Sequence, residues 1–257
     1  MDRAKWQQLF DMTGRTVIVS GSTRGIGRAL AEGYVCAGAN VVVVGRKADA
    51  CADTVAHLEA MGGRALGVSA NVGRLEDLAS IVERAIDTFG GIDVVVNNAA
   101  TALAQAVGQY TPEAWDKSMS VNLRGPVFLT QEALPHLQAS GRGAVLNILS
   151  GAAFMYSAGV SLYAAGKAGL LAHTRSAAAE FAEHGIRVNA LAPGTTDTDM
   201  VRANTAERVD MMSQIMYLKR MADPDEIVAP ALLLTSDAGS FITGQVLVVD
   251  GGMVVAR

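Results

Sequence analysis

Short apolar runs alternate with longer helix-like segments along almost the whole chain, and this alternation limits the fold more than any other feature. The runs are rich in β-branched residues and lie at 16–20, 40–44, 65–69, 92–96, 144–149, 187–191 and 246–249. Runs such as TVIVS and DVVVN are apolar at nearly every position, as is typical of strands buried on both faces of a parallel sheet. The segments between them predict helices at 25–37, 48–61, 75–89, 115–139, 162–184 and 223–235. The pattern therefore predicts an α/β fold, a Rossmann-type doubly wound sheet of seven mainly parallel strands flanked by helices.

Nothing in the sequence divides the chain, so we predict a single domain over residues 1–257. One stretch, from Pro193 to Lys219, lacks a strand pattern and carries four methionines: Met200, Met211, Met212 and Met216. Ligands bind beyond the carboxyl ends of the strands in such folds. We therefore predict that the segment at roughly 195–219 forms either a flexible lid over an apolar substrate or a helical pair that stabilises the domain.

Composition excludes several classes of function. The formal net charge is −4 and Lys and Arg are not clustered, which argues against nucleic-acid binding. Polar residues interrupt every apolar stretch before it reaches the roughly 18 residues that a membrane helix needs. The amino-terminal segment MDRAKWQQLF has no signal-like apolar region, so we expect no membrane insertion and a cytoplasmic location. The four histidines are scattered, and Cys36 and Cys51 lack metal-ligand spacing; we expect no metal and two buried, inert thiols.

A glycine-rich turn follows the first predicted strand. It reads Gly21-Ser-Thr-Arg-Gly25-Ile-Gly27 and leads directly into a predicted helix. Glycines allow backbone N–H groups to approach a pyrophosphate, and the helix amino terminus favours its negative charge. The spacing differs from the common G-x-G-x-x-G fingerprint, but its place in a strand–turn–helix unit predicts dinucleotide binding.

The end of the second strand indicates which dinucleotide binds. An enzyme that uses NAD usually carries Asp or Glu there to accept from the ribose 2′-OH. This strand instead ends VVVV-Gly45-Arg46-Lys47. The guanidinium of Arg46, with Arg24 in the glycine turn, suits a 2′-phosphate. The sequence favours NADP(H), and NAD(H) stays open as the alternative cofactor.

A predicted reacting centre lies in the second half of the chain. Ser150 ends a strand, and Tyr163 and Lys167 follow four residues apart on one face of a predicted helix. A free tyrosine has a pKa of about 10. A nearby ammonium, together with an oxidised nicotinamide, favours its phenolate form. The Ser150 hydroxyl can donate to a substrate oxygen on which negative charge develops.

Taken in order, these motifs resemble those of the short-chain dehydrogenase/reductase family over about residues 14–252. The matches are the three turn glycines, Asn97-Asn98-Ala99, Asn122, Ser150, Tyr163, Lys167, Pro193-Gly194 and the terminal Asp250-Gly251-Gly252.

The resemblance implies a catalytic set of four residues, Asn122, Ser150, Tyr163 and Lys167. Tyr163 would act as general acid in reduction and as base in oxidation. Lys167 would hold the nicotinamide ribose and lower the pKa of the tyrosine, while Ser150 would orient and polarise the carbonyl. Asn122 would hold a water that links Lys167 to a proton relay. The hydride would pass from cofactor to substrate carbon.

The turn, the second strand and the resemblance together predict one set of cofactor-binding residues. They are Gly21, Thr23, Arg24, Gly25, Ile26, Gly27, Arg46, Asn71, Val72, Asn98, Ala99, Tyr163, Lys167, Pro193, Gly194, Thr196 and Thr198. In this set Asn98 would line the adenosine ribose and Thr198 would bind the nicotinamide carboxamide. Asn71 stands where many relatives have Asp near the adenine. Ala100 replaces a more usual glycine after Ala99.

The substrate and the partners stay open at the level of sequence. The chain, and in particular its ending SFITGQVLVVDGG, resembles bacterial 3-oxoacyl thioester reductases, which implies an acyl-thioester substrate. Two positions that are basic in carrier-dependent relatives hold Phe128 and Ala179 here, with Arg124 and Arg175 nearby. Apolar residues Phe154-Met155-Tyr156 favour a small hydrophobic carbonyl compound as the alternative substrate. A non-catalytic NADP-binding sensor is a further alternative.

Two predicted helices, at 115–139 and 162–184, carry many small residues, which predict either close packing against another helix or contact with the protein's own sheet. In relatives these helices build the interface between subunits, so the resemblance implies a homotetramer or homodimer.

Overall fold

The computed structural model describes residues 2–254 and contains one sheet of seven parallel strands. The strands are β1 (Thr16–Ser20), β2 (Asn40–Gly45), β3 (Arg64–Ser69), β4 (Val94–Asn97), β5 (Ala144–Ile148), β6 (Arg187–Pro193) and β7 (Val246–Val249). Their order in the sheet is β3-β2-β1-β4-β5-β6-β7. The chain reverses its direction of winding between β1 and β4, which opens a crevice at the carboxyl ends of these two strands. The predicted fold class is confirmed.

Helices cover both faces of the sheet. They are α1 (Arg3–Gln8), α2 (Gly25–Cys36), α3 (Ala48–Ala60), α4 (Leu75–Phe89), α5 (Pro112–Met119), α6 (Gly125–Ser140), α7 (Ser161–Phe181), α8 (Asp199–Arg202), α9 (Ala206–Ile215) and α10 (Val228–Thr235). The core on one face includes Leu30 of α2 and Leu234 of α10. The core on the other face includes Leu78 of α4, Leu129 of α6 and Ala177 of α7.

Burial on both faces explains the unbroken apolar runs of the sequence. Successive side chains of a strand point to opposite faces of the sheet. Val17 and Val19 of β1 accordingly belong to the core under α2 and α10, whereas Ile18 belongs to the core under α4 and α6. Each inner strand therefore needs an apolar side chain at every position, and this is the pattern from which the parallel sheet was predicted.

Three details differ from the expectations. Strand β4 begins at Val94 instead of 92, because the Asp93 carboxylate accepts from the backbone N–H of Thr16 at 2.8 Å and from Arg142 Nε at 2.9 Å. The helix predicted over 115–139 is interrupted between α5 and α6. Cys36 is exposed at the end of α2, and only Cys51 is a buried thiol.

The segment at 195–219, predicted to be either a lid or a stabilising helical pair and called the lid segment below, contains the two helices α8 and α9. It is attached to the domain at both ends: Thr196 pairs with Ala222 in an isolated bridge, and the Met216 side chain is only 2% exposed. Met200 and Met211, in contrast, are exposed. One buried methionine thus anchors the segment, while the outer ones leave its surface apolar.

In the described part of the chain, the helices are all too short or too polar to cross a membrane. Within residues 2–254, no three His, Cys, Asp or Glu side chains form a cluster that could hold a metal ion.

Candidate active site

The glycine turn lies between β1 and α2 and is tied to the loop after β4. Gly21 and Gly25 adopt positive φ values of 67° and 52°, which L-residues with side chains rarely adopt. A Cβ on Gly27 would lie 2.2 Å from Gly21 O and 2.4 Å from Asn98 Nδ2. That amide of Asn98 donates to Gly21 O at 3.1 Å and to Ser20 O at 2.9 Å. The positive φ values therefore favour glycine at 21 and 25, the contacts of Gly27 leave no room for a side chain, and Asn98 holds the turn in place.

Ala99 continues this contact, since a Cβ on Gly21 would lie 2.9 Å from Ala99 Cα. Ile26 is partly buried and packs against the core under α2. The turn, Asn98 and Ala99 thus meet at the crevice between β1 and β4, as predicted for a nucleotide-binding edge. They leave a backbone cradle at a helix amino terminus, and such a cradle fits a pyrophosphate.

The end of β2 lies beside the same turn. A Cβ on Gly45 would lie 2.7 Å from Thr23 Cγ2 and 3.1 Å from Cys51 Sγ, so the position is closed to a larger residue unless Thr23 moves. Arg46, the next residue, is exposed. The Arg24 guanidinium lies 3.6 Å from the Asp199 carboxylate at the start of α8. The exposed Arg24 side chain therefore pairs with the segment at 195–219.

Asn71 and Val72 follow β3. The backbone N–H of Asn71 donates to Asp77 Oδ2 at 2.7 Å, and its Oδ1 accepts from the backbone N–H of Gly73 at 3.1 Å. One of the two acceptor sites on this amide oxygen is thus used within the turn. Val72 is buried, and its carbonyl faces Gly125, where a Cβ would lie 2.3 Å away.

Ser150, Tyr163 and Lys167 meet beyond the carboxyl end of β5. Ser150 caps the short 3₁₀ turn Gly151–Ala153, and its Oγ accepts from the backbone N–H of Ala152 at 3.2 Å. Tyr163 lies in the first turn of α7, and Lys167 follows one turn later with Nζ 5.7 Å from the centre of the tyrosine ring. The structure therefore brings together the three residues that the sequence predicted as the reacting centre.

Protonation of this centre is governed by burial. Burial raises the pKa of Tyr163, and a hydrogen bond with the Ser150 hydroxyl opposes that rise. The expectation that Lys167 lowers the pKa of the tyrosine stays a prediction. Burial lowers the pKa of Lys167 itself to about 8, and its Nζ donates to Ile148 O at 2.6 Å. At neutral pH the tyrosine is therefore a protonated hydroxyl that can donate.

Asn122 lies in the segment that interrupts the predicted helix. Residues Ser120–Arg124 form a π-helical turn, in which the backbone N–H of Gly125 donates to Ser120 O. π-Helical turns are rare and are frequent at functional sites. The close approach of Gly125 to Val72 O leaves no room for a side chain there. The extra residue of the turn carries the buried Asn122 side chain toward α7, and a Cβ on Gly166 would lie 2.8 Å from Asn122 Cβ.

The side chain of Asn122 is bonded within the protein. Its Nδ2 donates to Thr101 O at 2.8 Å and to Ser118 Oγ at 3.2 Å, and its Oδ1 accepts from the backbone N–H of Thr101 at 3.0 Å. Thr101, which the sequence did not single out, is thus the residue through which Asn122 fixes the loop after β4. The relay role implied by the resemblance stays a prediction.

Four further predicted cofactor-binding residues lie at the end of β6 and in the loop that follows it: Pro193, Gly194, Thr196 and Thr198. The backbone N–H of Gly194, after Pro193, donates to Val249 O at 2.9 Å, and the buried Thr196 donates through Oγ1 to Gly194 O at 3.2 Å. Thr198 lies directly on the glycine turn, because a Cβ on Gly25 would come within 3.0 Å of Thr198 Cγ2. The start of the lid segment therefore borders the cradle in which a dinucleotide would lie.

The residues of this edge fit a nicotinamide dinucleotide. The turn would hold the pyrophosphate, and Lys167 and Tyr163 lie further along the same carboxyl edge, where the nicotinamide end would reach. A cleft of about 410 Å³ between α2 and the lid segment is lined by the turn residues Thr23, Arg24 and Gly25 and by Asp197, Thr198 and Asp199 of the lid. Three arginines and five carboxylates line this cleft, so it is polar but carries more negative than positive groups, and the support for a dinucleotide site comes from the glycine turn.

Comparison with known proteins agrees with this geometry. A family model described as enoyl-(acyl carrier protein) reductase matches residues 21–254. A cis-4-hydroxycyclohexanecarboxylate dehydrogenase of Sinomonas cyclohexanicum is 38% identical over 239 residues, which cover 93% of this chain and 96% of that protein. A 3-oxoacyl-[acyl-carrier-protein] reductase of Synechocystis sp. is 37% identical over 249 residues, with coverage of 95% and 98%.

A solved structure from Beutenbergia cavernae, which holds NADP at low occupancy, has a TM-score of 0.89 and 36% identity. The match covers 95% of this chain and 98% of that one. Sequence and structure are therefore matched almost end to end, across the turn, the sheet and the Ser150–Tyr163–Lys167 centre. The chain belongs to the short-chain dehydrogenase/reductase family of oxidoreductases.

Proposed function

We propose that the protein is an NADP(H)-dependent oxidoreductase that interconverts an uncharged ketone and the matching secondary alcohol. The observation that carries this proposal is the meeting of Ser150, Tyr163 and Lys167 beyond β5, beside a glycine cradle for the dinucleotide. Hydride transfer is the chemistry that the nicotinamide supplies when it is bound. The protein contributes position, charge and a proton.

In reduction, Ser150 and Tyr163 both donate hydrogen bonds to the substrate oxygen. As negative charge develops on that oxygen, the Tyr163 proton moves to it and the product alcohol forms. The buried ammonium of Lys167, 5.7 Å from the tyrosine ring, stabilises the phenolate that results. In oxidation the same phenolate accepts the alcohol proton. Because burial raises the pKa of Tyr163, the tyrosine holds the proton that reduction consumes.

The end of β2 supports a preference for NADP(H), because there is no room for a side chain at Gly45. A carboxylate at Gly45 would meet Thr23 and Cys51, so an acid for the ribose 2′-OH does not fit beside the turn. The exposed Arg46 can instead pair with a 2′-phosphate. The bound NADP in the Beutenbergia cavernae structure agrees with this proposal. NAD(H) is the alternative cofactor, and the experiment below distinguishes the two.

The loops around the reacting centre support an uncharged substrate. The loops at 98–110, after β4, and at 149–160, after β5, contain no Asp, Glu, Lys, Arg or His. Exposed apolar side chains border the same edge: Val107, Phe154, Met155, Tyr156, Tyr217 and Leu218. A substrate carboxylate buried among these groups would have no cationic partner, which is costly. The substrate named for the Sinomonas relative carries such a carboxylate, whereas an acyl thioester is neutral beside its keto group.

Within this class, a 3-oxoacyl thioester and a small hydrophobic ketone are both candidates. The Synechocystis relative favours the thioester. Of the two arginines considered for a carrier protein, Arg124 donates to Gly73 O at 2.9 Å and Arg175 is exposed on α7. The matching family model is described as enoyl-(acyl carrier protein) reductase, so reduction of an enoyl thioester is a second candidate function.

The test is oxidation of NADPH and of NADH, side by side, against one panel of carbonyl compounds. The panel holds a 3-oxoacyl thioester, an enoyl thioester, an aromatic ketone, an aliphatic diketone and a steroid ketone. It also holds 4-oxocyclohexanecarboxylate and its methyl ester, which differ in charge and by one methyl group. We expect NADPH-linked turnover of neutral ketones and a kcat/KM for the ester at least about tenfold above that for the acid.

Equal or better turnover of the acid would contradict the uncharged substrate class, and faster oxidation of NADH would contradict the cofactor preference. Tight NADPH binding without turnover of any compound would favour the alternative of an NADP-binding sensor. Reduction of the enoyl thioester alone would replace ketone reduction by enoyl reduction.

We also propose that the protein is a homodimer or homotetramer whose subunits pack through α7. This helix exposes four small residues on one face: Ala165, Ala168, Ala172 and Ala179. Small side chains allow two helices to approach closely at a twofold interface. The partners that the proposal includes are thus a substrate and further copies of the chain, without nucleic acid or membrane.

A further inference from the structure

Residues 251–254, after β7, lie at the carboxyl edge of the sheet near Ser150, and the Asp250 carboxylate holds them there. Asp250 is buried, and its Oδ1 accepts from the backbone N–H of Gly252 at 2.8 Å. Its Oδ2 accepts from the backbone N–H of Val254 at 2.6 Å. Hydrogen bonds from two backbone N–H groups to one carboxylate fix the direction of a short segment. Asp250 therefore determines where the side chain of Met253 lies.

Met253 packs against the residue that follows Ser150. A Cβ placed on Gly151 would lie 2.2 Å from Met253 Cε and 3.3 Å from Val254 Cγ2. The terminal methyl of Met253 thus occupies the space that any side chain at position 151 would need. Gly151 opens the short turn that the Ser150 side chain caps. The contact consequently lies one residue from the hydroxyl that would bind the substrate oxygen.

The same segment also contacts the end of the lid segment. The backbone N–H of Leu218 donates to Gly251 O at 3.1 Å, and a Cβ on Gly252 would lie 2.7 Å from Tyr217 Cδ2. The segment at 251–254 therefore lies between Tyr217 and Leu218 on one side and the turn after Ser150 on the other. Both neighbours border the reacting centre at the carboxyl edge of the sheet.

We infer that Met253 is a specificity-determining residue, which limits the size of the substrate group on the Ser150 side of the carbonyl. Asp250 is its positioning residue. The inference rests on the proposed function, since it concerns the ketone that this site reduces. A thioether side chain is unbranched and apolar, so it closes this side to bulk and to charge while adapting to small aliphatic groups. Shortening it opens space beside Gly151.

The first experiment measures kcat/KM with NADPH for a graded series of ketones, from a methyl ketone to a phenyl ketone. Met253→Ala should raise the ratio of the phenyl to the methyl ketone by about tenfold or more, as expected when a wall of an apolar pocket is removed. Met253→Leu, which keeps the volume, should leave this ratio within about twofold of the wild-type value. The control is Met61→Ala, because Met61 is exposed at the end of α3, and this variant should not change the ratio.

The second experiment tests the contact itself. Gly151→Ala places a methyl group where Met253 Cε lies, so it should lower kcat/KM for the ketones by about fivefold, a modest cost because the displaced atom is the flexible end of Met253. In the Met253→Ala background the same change should cost less than about threefold, because residues in contact do not act additively. Circular dichroism and thermal unfolding of each variant show that the comparison is made on folded protein.

Asp250→Asn completes the test of positioning. It should raise KM for the small ketones while leaving KM for NADPH unchanged, whereas a purely structural role would lower the unfolding temperature and affect both. The inference would be overturned if Met253→Ala changed kcat/KM for all ketones by the same factor. It would also be overturned if Gly151→Ala lowered kcat/KM equally in the wild-type and Met253→Ala backgrounds. If the wild-type protein reduces none of the ketones, the proposed function fails by itself. In that case the dissociation constants of the same ketones from the protein–NADPH complex are measured. Met253→Ala should then strengthen binding of the phenyl ketone relative to the methyl ketone.

Discussion

At the scale of single residues, the buried lysine sets the sign of the pH response. Lys167 is 1% exposed, and burial lowers its pKa from 10.5 to about 8. Between pH 8 and 10.5 the unfolded chain then binds a proton at this residue that the folded chain has lost. Because the unfolded state binds more protons in this window, stability rises with pH there. The charged lysine thus opposes folding at neutral pH, where it is needed for the site.

We predict that Lys167→Met removes this dependence. The variant should gain stability relative to the wild type at pH 7, on the order of 3 kcal/mol from the size of the pKa shift. That difference should shrink as the pH rises from about 8 to 10. Urea unfolding at four pH values measures it. A constant difference across this range would contradict the lowered pKa of Lys167.

Tyr163 is the residue on which the chemistry depends. Tyr163→Phe removes the only hydroxyl proposed to transfer a proton, and kcat/KM should fall by about 10²–10⁴. NADPH binding, followed by fluorescence titration, should persist because the ring remains. Tyr156→Phe is the matched control, since Tyr156 is exposed on the loop after Ser150. A similar loss in both variants would remove Tyr163 from its proposed role.

At the scale of elements, the π-helical turn and α7 must approach closely. A methyl group at Gly166 would lie 2.8 Å from Asn122 Cβ, whereas one at Gly169 would lie 3.1 Å from the end of the flexible Leu123 side chain. Both glycines lie in α7, where replacement of glycine by alanine favours the helix by about 1 kcal/mol. The two substitutions therefore share their local effect and differ in what they displace.

Gly166→Ala should lower kcat by at least about tenfold, since a displacement of about 1 Å near reacting groups has large effects on rate. Gly169→Ala should keep wild-type activity and unfold at an equal or higher temperature. Steady-state kinetics and thermal unfolding of the two variants are the measurements. Unchanged kcat in Gly166→Ala would show that the position of Asn122 does not matter for turnover.

The end of β2 makes a different prediction. Introducing Asp at Gly45 and removing Arg46 should weaken NADPH binding, but the new carboxylate meets Thr23 Cγ2. We expect NADH binding to improve only when Thr23→Ala is added to Gly45→Asp and Arg46→Ala. Dissociation constants for both cofactors in the double and triple variants test this. A full change of preference in the double variant would mean that the turn yields to the new side chain.

Local patterns predicted the strands, the glycine turn and the tyrosine–lysine pair, because each depends on residues close together in the chain. Strands buried on both faces are apolar along their length, so their pattern is easy to recognise in the sequence. Tyr163 and Lys167 lie four residues apart in α7, so their proximity follows from helix geometry. The π-helical turn could not be predicted, since it depends on the approach of Gly125 to Val72 O. The contact of Met253 with Gly151 joins segments far apart in sequence, and neither residue carries a motif. The exposure of Cys36 reflects its place at the last residue of α2.

At the scale of the whole molecule, the proposed assembly depends on the outer face of α7. Ala172 is exposed there, among other small residues. Ala172→Glu should separate the subunits, because it introduces bulk and like charges across a twofold axis. Ala56→Glu on α3 is the control, since Ala56 is also exposed. Light scattering after gel filtration gives the mass. An oligomer that survives Ala172→Glu would place the interface elsewhere.

The two attachments of the lid segment have a consequence for the order of events. Its first residues lie on the glycine turn, where Thr198 meets Gly25, and its last residues lie on the carboxy-terminal segment through Leu218 and Gly251. We therefore predict that a ligand at either end changes the surroundings of the other. Such coupling is reciprocal: a cofactor that draws the segment inward strengthens the hold on the ketone, and the ketone strengthens the hold on the cofactor by the same factor.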